Sequence, residues 1–177
     1  MSYDRQLERW TVNHRVAWLN PVFEGLSWIG GQGLVWLVIA AAIAVWWRRP
    51  PLLLQVALAD LAAQLISSGL KQWIGRARPS QVYASPKPLV PAPHDASFPS
   101  GHAAASFACA TILAFHAPRA APAFFLLAAA IAWSRVYVGV HYPLDVLGGA
   151  VLGILIAIAL RWLSAGLRRL RRATRAG

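Results

Sequence analysis

Apolar residues fall into five long, nearly uncharged stretches that are separated by short polar breaks. The stretches cover residues 26–47, 52–70, 100–116, 122–138 and 144–163. A helix that rises about 1.5 Å per residue needs roughly 20 residues to cross about 30 Å of hydrocarbon, so each stretch is a candidate span. Lipid-facing backbone must form its hydrogen bonds within a helix or a closed barrel, and these stretches are too long for barrel strands. The pattern predicts an all-α, integral membrane bundle of about five transmembrane helices.

The segment before the first stretch has a different pattern. Over residues 1–20, most charges lie on one side of a helix, and apolar side chains recur at helical spacing on the other. The apolar residues are Tyr3, Leu7, Trp10, Ala17 and Trp18. This predicts an amphipathic helix in the membrane interface, which makes six membrane helices if it is counted. It has no uninterrupted apolar core, so we expect the first span, and not a cleaved signal peptide, to direct insertion. Within that span, Gly30, Gly31 and Gly33 predict close helix packing.

Composition agrees with a membrane protein of one domain. The 177 residues are 58% hydrophobic and 13% charged, and their mean hydropathy is +0.49. These values are far more apolar than those of an average soluble domain. We expect a single membrane-embedded domain over residues 1–177, with a polar, proline-rich loop over 71–99 and a basic cytoplasmic tail over 164–177.

Seventeen Lys and Arg residues against six Asp and Glu residues give a net charge of +11. In a soluble protein this excess would raise the possibility of nucleic-acid binding. Much of it follows the last apolar stretch directly, at Arg161, Arg168, Arg169, Arg171, Arg172 and Arg175. Cations there set topology and contact anionic lipids, so we expect membrane lipids as partners and no nucleic acid.

Two residues inside the apolar stretches stand out. Asp60 lies in the second stretch, where a carboxyl group is costly, so we expect it to face the bundle interior. Both a structural role and a contribution to a functional site are open for it. Cys109, the single cysteine, cannot form an intrachain disulfide and is expected to act in small-residue packing.

Three polar clusters fall at the same membrane face in this topology. They are Lys71 with Arg78 and Pro79; Pro99, Ser100, Gly101 and His102; and Ser134 and Arg135 with His141 and Asp145. Each cluster alone is a weak signal, because cations at span ends usually snorkel to the interface and a lone histidine there is usually structural. Their convergence from distant segments indicates a functional site.

The cations of these clusters point to a phosphate ligand. Lys71, Arg78 and Arg135 put three positive charges at one mouth, and the planar fork of arginine matches phosphate oxygens. Ser100 and Gly101 directly precede an apolar helix, whose free N–H groups and positive dipole end form an anion site. A plain N-cap role for Ser100 is compatible with phosphate binding.

The remaining polar residues can supply the chemistry. His141 and Asp145 are four residues apart, with Pro143 suited to the first turn of the last helix, so the carboxylate can reach back and orient the imidazole. The free ring nitrogen could then attack phosphorus, and His102 could protonate the leaving oxygen. Three cations and a helix end can neutralise the phosphate charge, so we expect neither a metal ion nor another cofactor.

The motifs Lys-x6-Arg-Pro, Pro-Ser-Gly-His and Ser-Arg-x5-His-x3-Asp resemble the three signature motifs of the type 2 phosphatidic acid phosphatase superfamily, over residues 71–145. The resemblance implies that His141 attacks phosphorus, His102 protonates the leaving group and Asp145 orients His141. It also implies a phosphate-binding set of Lys71, Arg78, Ser100, Gly101 and Arg135. Pro79 and Pro99 are expected to shape the chain, and Ser134 to form a hydrogen bond. Five spans depart from the six common among larger members, so the N-terminal segment replaces a span or the count differs by one.

The resemblance implies a metal-independent lipid phosphate phosphatase with a phosphohistidine intermediate, for which undecaprenyl diphosphate is the leading substrate. Phosphatidic acid, phosphatidylglycerol phosphate and lipid A are alternatives, because the motifs bind only the phosphate that these lipids share. Soluble vanadate-dependent haloperoxidases carry the same motifs, but five apolar spans argue against that class. A membrane transporter is the alternative of another kind, although no inverted repeat supports it. Specificity is expected from Trp73, Arg76, Tyr83 and Lys87, whose aromatic members could equally be interfacial anchors.

Orientation follows from the cations on each face of the bundle. The face with the tail carries nine Lys and Arg residues and the face with the loop carries eight. Setting aside Lys71, Arg78 and Arg135 as ligand-binding groups leaves five on the loop face. Because cations concentrate in the cytoplasm, we expect a multi-pass protein of the inner (plasma) membrane whose site opens on the extracytoplasmic side.

Overall fold

The computed structural model describes residues 3–173, and within them the side chains of residues 3–31 and 33–166. The described chain forms helices and turns without strands, which confirms the all-α prediction. The α-helices are α1 (Tyr3–Asn13), α2 (Asn20–Ile29), α3 (Leu34–Trp46), α4 (Pro51–Ile74), α5 (Pro79–Val82), α6 (Gly101–His116), α7 (Ala121–Tyr137) and α8 (Pro143–Ala173).

Several helix starts lie where proline or a capping residue predicts them. Pro51 and Pro143 are the first residues of α4 and α8, where a missing N–H costs no hydrogen bond. Ser100 is the N-cap of α6, and its hydroxyl accepts a hydrogen bond from the Ala103 N–H at 3.4 Å. These boundaries fall within a few residues of the predicted ones.

The prediction of one continuous first span was wrong. Residues 26–47 divide between α2 and α3, whose axes are bent by 66° at a turn of 3-10 helix over Gly31–Gly33. Gly33 has a φ of +69°, in the left-handed region that favours glycine. A Cβ at Gly33 would also collide with the carboxyl group of Asp60, which lies against the break. The glycines therefore bend the chain there, and Asp60 of α4 packs into the bend.

The last helix is longer than the predicted span. The last span was expected to end near residue 163 and be followed by a tail, but α8 continues as one helix to Ala173. Its final turns are rich in arginine and leucine, which are good helix formers. The predicted basic tail therefore begins as helix, and its residues 174–177 lie outside the described part of the chain.

Three segments of the described chain are long and apolar enough to cross a membrane: Pro51–Val82, Pro118–Tyr137 and Pro143–Gly166. The bent pair of α2 and α3 could make a fourth crossing. The remaining predicted span, over residues 100–116, is α6, which has 16 residues and lies at the centre of the bundle. The number of crossings stays a prediction.

Small residues pack α6 closely against its neighbours. α6 contacts α4, α7 and α8, and nearly all of its residues from Ala103 to Leu113 are buried. Gly153 of α8 lies so close to the carbonyl of Ala104 that a Cβ there would collide with it. Helices in lipid associate through such close contacts, because burying apolar surface gains little there. This contact fixes the start of α6 beside the start of α8, where the Ser100 N–H donates to the Asp145 carbonyl at 2.9 Å.

The N-terminal helix α1 ends at Asn13, short of the predicted end near residue 20, and its acidic side faces the protein. Asp4 and Glu8 are buried against the bundle, whereas Tyr3 and Trp10 are exposed. α1 contacts α7 and α8, and the Arg9 guanidinium donates to the Ser85 carbonyl at 2.6 Å. The amphipathic helix therefore lies across the end of the bundle that carries the polar loop.

Candidate active site

His141 and Asp145 form a buried pair at the junction of α7 and α8. His141 lies in the turn between these helices, and Asp145 lies in the first turn of α8. The Nδ1 atom of His141 is 3.4 Å from Oδ2 of Asp145. Both side chains are almost inaccessible to solvent. Proline at the start of α8 allows this reach, because the helix begins two residues after His141.

The second ring nitrogen of His141 points the other way. Its Nε2 atom is 3.1 Å from Nη1 of Arg78, which can only donate a hydrogen bond. Nε2 therefore carries the lone pair and Nδ1 carries the proton directed at Asp145, a tautomer assigned from this network. A histidine held in this way presents a basic nitrogen on one side and a counter-charge on the other.

The surroundings keep His141 neutral. Burial lowers the pKa of His141 to about 4, and the hydrogen bond to Asp145 opposes this change only in part. The nearby guanidinium groups of Arg78 and Arg135 lower the pKa further. A neutral imidazole at physiological pH is the form that can act as a nucleophile.

Asp145 is held by four further groups. Its Oδ2 atom accepts hydrogen bonds from the Ser97 hydroxyl and, at 2.8 Å, from the Tyr142 N–H. Its Oδ1 atom accepts a hydrogen bond from Nη1 of Arg76 at 2.6 Å. Through its backbone carbonyl it also accepts from Ser100. The carboxylate is thus fixed by Arg76 and Ser97 of the loop and by the turn before α8.

Arg76 connects this carboxylate to the N-terminal helix. Its Nη2 atom is paired with Oδ2 of Asp4, and Oδ1 of Asp4 accepts a hydrogen bond from the Leu144 N–H at 2.8 Å. The Arg76 guanidinium also lies 4.3 Å from the centre of the Tyr142 ring. Sequence reasoning proposed Arg76 for substrate specificity, whereas here it lies behind Asp145 and bridges two carboxylates.

Arg78 is buried and fully engaged with the protein. Its Nε donates to the Asp95 carbonyl at 2.8 Å, and its Nη1 donates to the Val140 carbonyl at 2.8 Å as well as facing His141. Its Nη2 donates to Oδ1 of Asp95 at 2.6 Å and lies 3.3 Å from the Ala96 carbonyl. The second oxygen of Asp95 receives the Lys71 ammonium at 2.6 Å.

Arg135, the third expected cation, approaches from α7. It is buried, and its Nη1 donates to the Ser27 hydroxyl of α2. Its Nε atom has no hydrogen-bond partner among the described residues. The neighbouring Ser134 donates to the Ile131 carbonyl of its own helix at 2.6 Å, so its hydrogen bond stays within α7.

The second motif meets the other two through His102. The His102 ring forms a hydrogen bond with the backbone of Ser27 and lies within electrostatic range of Arg135, His141 and Lys71. The structure therefore brings the three motifs to one end of the bundle. It gathers all the predicted catalytic and phosphate-binding residues there: Lys71, Arg78, Ser100, Gly101, His102, Arg135, His141 and Asp145.

A cavity of about 190 Å³ opens beside the first turn of α6. Gly101 and His102 form one wall, Gln64 and Lys71 of α4 form another, and Gly30 closes it at the break between α2 and α3. The cavity thus joins the helix end, a cation and a histidine. Such a combination suits an anionic group attached to an apolar chain.

The supporting prolines and the specificity candidates lie around this site. Pro79 begins the short helix α5, and Pro99 directly precedes the N-cap of α6. Trp73 is exposed at the end of α4, whereas the Tyr83 ring lies 4.6 Å from the Arg9 guanidinium. The Lys87 carbonyl accepts a hydrogen bond from Arg15 at 2.9 Å.

Sequence reasoning missed three residues of the site: Asp4, Asp95 and Ser97. Asp95 and Ser97 stand just before the Pro-Ser-Gly-His motif, and Asp95 is one of only six acidic residues in the chain. An acidic residue in a loop between two cation motifs was the available signal. Asp4 offered none, because it is far from the motifs along the chain.

Among the described residues, no group of three or more His, Cys, Asp and Glu side chains lies close enough together to hold a metal ion. The expectation that the reaction needs no metal stays a prediction.

Comparison with known proteins gives concordant matches. The model of the PAP2 superfamily matches residues 52–169. Phosphatidylglycerophosphatase B of Bacillus subtilis is 30% identical over 185 residues, covering 96% of this chain and 87% of that protein. Undecaprenyl-diphosphatase of Sulfolobus acidocaldarius is 30% identical over 141 residues, covering 79% and 68%. The crystal structure of Aquifex aeolicus LpxE superposes with a TM-score of 0.75 at 29% identity, covering 90% of this chain and 95% of that chain.

Proposed function

Because the chain belongs to the PAP2 superfamily, we propose that it removes a terminal phosphate from a membrane lipid at the site around His141. One observation carries the proposal. His141 stands between the carboxylate of Asp145 and the guanidinium of Arg78, so that one ring nitrogen is oriented and the other faces the cations. This is the arrangement that a nitrogen nucleophile for phosphorus needs.

In the proposed mechanism, Nε2 of His141 attacks the phosphorus atom. A P–N bond forms and the bond from phosphorus to the lipid oxygen breaks, while protonated His102 gives its proton to that oxygen. Asp145 stabilises the positive charge that develops on the His141 ring. Water then attacks the phosphohistidine, giving up a proton to His102, and the P–N bond breaks to release inorganic phosphate.

Charge neutralisation in this mechanism falls to the cations and the start of α6. Lys71, Arg78 and Arg135 supply three positive charges, and the N–H of Gly101 at the start of α6 adds the positive end of the helix dipole. Phosphoryl transfer depends mainly on such positioning and electrostatic stabilisation. These groups therefore suffice without a metal ion in our proposal.

For the substrate we propose undecaprenyl diphosphate, which would yield undecaprenyl phosphate. The similarity to undecaprenyl-diphosphatase of S. acidocaldarius supports this choice. Phosphatidylglycerol phosphate is the second candidate, because the similarity to phosphatidylglycerophosphatase B extends over 96% of this chain. Phosphatidic acid and lipid A share the same terminal phosphate and remain further candidates.

The test is release of inorganic phosphate by the protein purified in detergent, measured across undecaprenyl diphosphate, phosphatidylglycerol phosphate, phosphatidic acid and lipid A. We expect release from at least one lipid, with undecaprenyl diphosphate preferred, and none from the His141→Ala variant. No release from any lipid by the wild-type protein would overturn the phosphatase proposal. It would favour the transporter alternative, which moves a ligand without cleaving it.

We also propose that 1–177 forms one domain whose site opens on the extracytoplasmic side of the plasma membrane. The contact of Arg9 with the Ser85 carbonyl supports assigning the N-terminal cations to the same face as the loop. The test uses single cysteines at Ser85 and Thr174 in a Cys109→Ala background, although Thr174 lies outside the described residues. In intact cells, an impermeant thiol reagent should label position 85 and not 174. Labelling of 174 alone would invert the orientation.

A further inference from the structure

The carboxylate of Asp95 bridges two of the three cations that we assign to phosphate. Its Oδ2 atom lies 2.6 Å from the Lys71 ammonium, and its Oδ1 atom lies 2.6 Å from Nη2 of Arg78. One carboxylate oxygen of Asp95 thus contacts the Lys71 ammonium, and the other contacts one nitrogen of the Arg78 guanidinium. Phosphate oxygens would use the same donors in the same way.

Arg78 has no spare donor for a phosphate while Asp95 is in place. Its Nε and Nη1 donate to backbone carbonyls and to His141, and these groups belong to the fixed frame of the site. Its Nη2 donates to the Asp95 carboxylate and lies near the Ala96 carbonyl. A phosphate can therefore reach Nη2 of Arg78 only if the carboxylate of Asp95 leaves.

The Asp95 side chain can leave without moving the loop. The side chain is 49% exposed, whereas the backbone around it is anchored at several points. The carbonyls of Asp95 and Ala96 accept from Arg78, and the Ser97 N–H donates to the Arg76 carbonyl at 2.7 Å. Rotation about the Cα–Cβ bond would carry the carboxylate into solvent while these contacts persist.

The charges of the site favour such an exchange only for a multiply charged ligand. Burial raises the pKa of Asp95, but the hydrogen bonds from Lys71 and Arg78 outweigh it and hold the pKa below its usual value. Asp95 is therefore ionised at neutral pH. A terminal phosphate with two negative charges gains more from Lys71 and Arg78 than the carboxylate does, whereas a phosphodiester with one charge gains no more.

We propose that Asp95 occupies the phosphate position in the empty enzyme and must be displaced by the ligand, so that it excludes singly charged phospholipid headgroups and favours release of inorganic phosphate. This inference rests on the proposed function of the site. Asp95 is then a specificity-determining residue, because bulk phospholipids carry phosphodiesters and the substrate carries a terminal phosphate. Its return to Lys71 and Arg78 after turnover competes with the product for the same donors.

The experiment compares the wild-type protein with Asp95→Asn, which keeps the shape of the side chain and removes its charge. Orthovanadate, a phosphate analogue, is titrated into each purified protein by isothermal calorimetry. We expect the variant to bind orthovanadate about 5 to 10 times more tightly, since it loses a competing charge-assisted contact that solvent partly screens. Glu24→Gln, which removes a negative charge from α2 instead, is the matched control and should bind as the wild type does.

Unchanged or weaker binding by Asp95→Asn would overturn the inference, because a residue that only orients Lys71 and Arg78 would help the anion to bind. Asp95→Ser tests the same point if the amide variant fails to unfold cooperatively on heating. A second measurement tests whether Asp95 excludes singly charged phospholipid headgroups. Dioctanoyl phosphatidylglycerol should inhibit the variant at concentrations about fivefold lower than those that inhibit the wild type. An equal effect on both proteins would remove Asp95 from headgroup selection. The orthovanadate titration does not depend on turnover, so it separates this inference from the lipid assay that tests the phosphatase proposal.

Discussion

Both ends of the helical bundle hold a histidine, an arginine and a cavity, but among the described residues only the end with the proposed site pairs a histidine with a carboxylate. At the end opposite the site, a cavity of about 320 Å³ is lined by Gln55, Phe115, His116 and Arg161, and it is larger than the cavity of about 190 Å³ beside His102. There, Nε2 of His116 lies 3.0 Å from Oε1 of Gln55. At the site end, His141 faces the carboxylate of Asp145.

The difference lies in what each histidine is paired with. An amide carries no charge, so Gln55 cannot stabilise an imidazolium, whereas Asp145 can and is itself held by Ser97, Tyr142 and Arg76. At the opposite end, the Arg161 guanidinium packs against an aromatic ring and lies 4.2 Å from the centre of the Phe115 ring. Cavity size is therefore a poor guide to the site in this protein, and the partners of the histidine are the better one.

The largest effect is expected when each histidine is removed in turn. His141→Ala should lower kcat/KM by about 10³-fold or more because the nucleophile is lost, while the apolar helices still fold. His116→Ala should stay within about twofold of the wild type, since no step involves that end. Phosphate release from the substrate lipid and thermal unfolding measure both variants. Near wild-type activity of His141→Ala would mean that His141 is not the nucleophile and that the two ends of the bundle do not differ in this way.

The second largest effect is expected when Asp145, the partner of His141, loses its charge. Asp145→Asn should lower kcat by about 10²-fold or more, because an amide cannot balance the imidazolium and favours the wrong tautomer. Asp60 serves as a matched control, since it is also a buried carboxyl group, with its Oδ2 accepting from Gln64 at 2.8 Å. Asp60→Asn can keep that hydrogen bond, so we expect its activity within about threefold of the wild type. Equal loss in both variants would mean that Asp145 acts only in folding.

A smaller effect should follow when the bridge behind Asp145 is cut. Arg76→Gln removes the ion pairs to Asp145 and Asp4, and the resulting misplacement of the carboxylate should lower kcat by about 10 to 100-fold. KM should change little, because Arg76 binds Asp145 and does not line the cavity beside His102. Steady-state kinetics separate the two constants. A raised KM with unchanged kcat would return Arg76 to the role in specificity that its position in the sequence suggested.

The smallest effect is expected from removing divalent ions. Because Lys71, Arg78 and Arg135 are assigned the charge neutralisation, activity in excess EDTA should equal that in its absence. Orthovanadate should inhibit under both conditions, which checks that the phosphate position is intact. A strict requirement for Mg²⁺ would show that the cation cluster does not suffice.

Much of the fold was predictable because its signals are local. The apolar stretches and the boundary residues Pro51, Ser100 and Pro143 predict the starts of α4, α6 and α8 within a few residues. The break between α2 and α3 was not foreseen, because the same glycines are compatible with close packing of a straight helix. Only the approach of Asp60 from α4 distinguishes the two outcomes.

The apolar helices and the three motifs can be read from local sequence, because span length and the chemistry of a motif are properties of neighbouring residues. Which charges meet depends on how the helices pack. The ion pairs of Lys71 with Asp95, Arg76 with Asp145 and Arg76 with Asp4 join residues 24, 69 and 72 positions apart. No periodicity marks such pairs, and seventeen cations compete for six acidic residues. Each partner is selected by helix packing, which places Asp95 on two cations that we propose to bind phosphate and Asp145 beside His141.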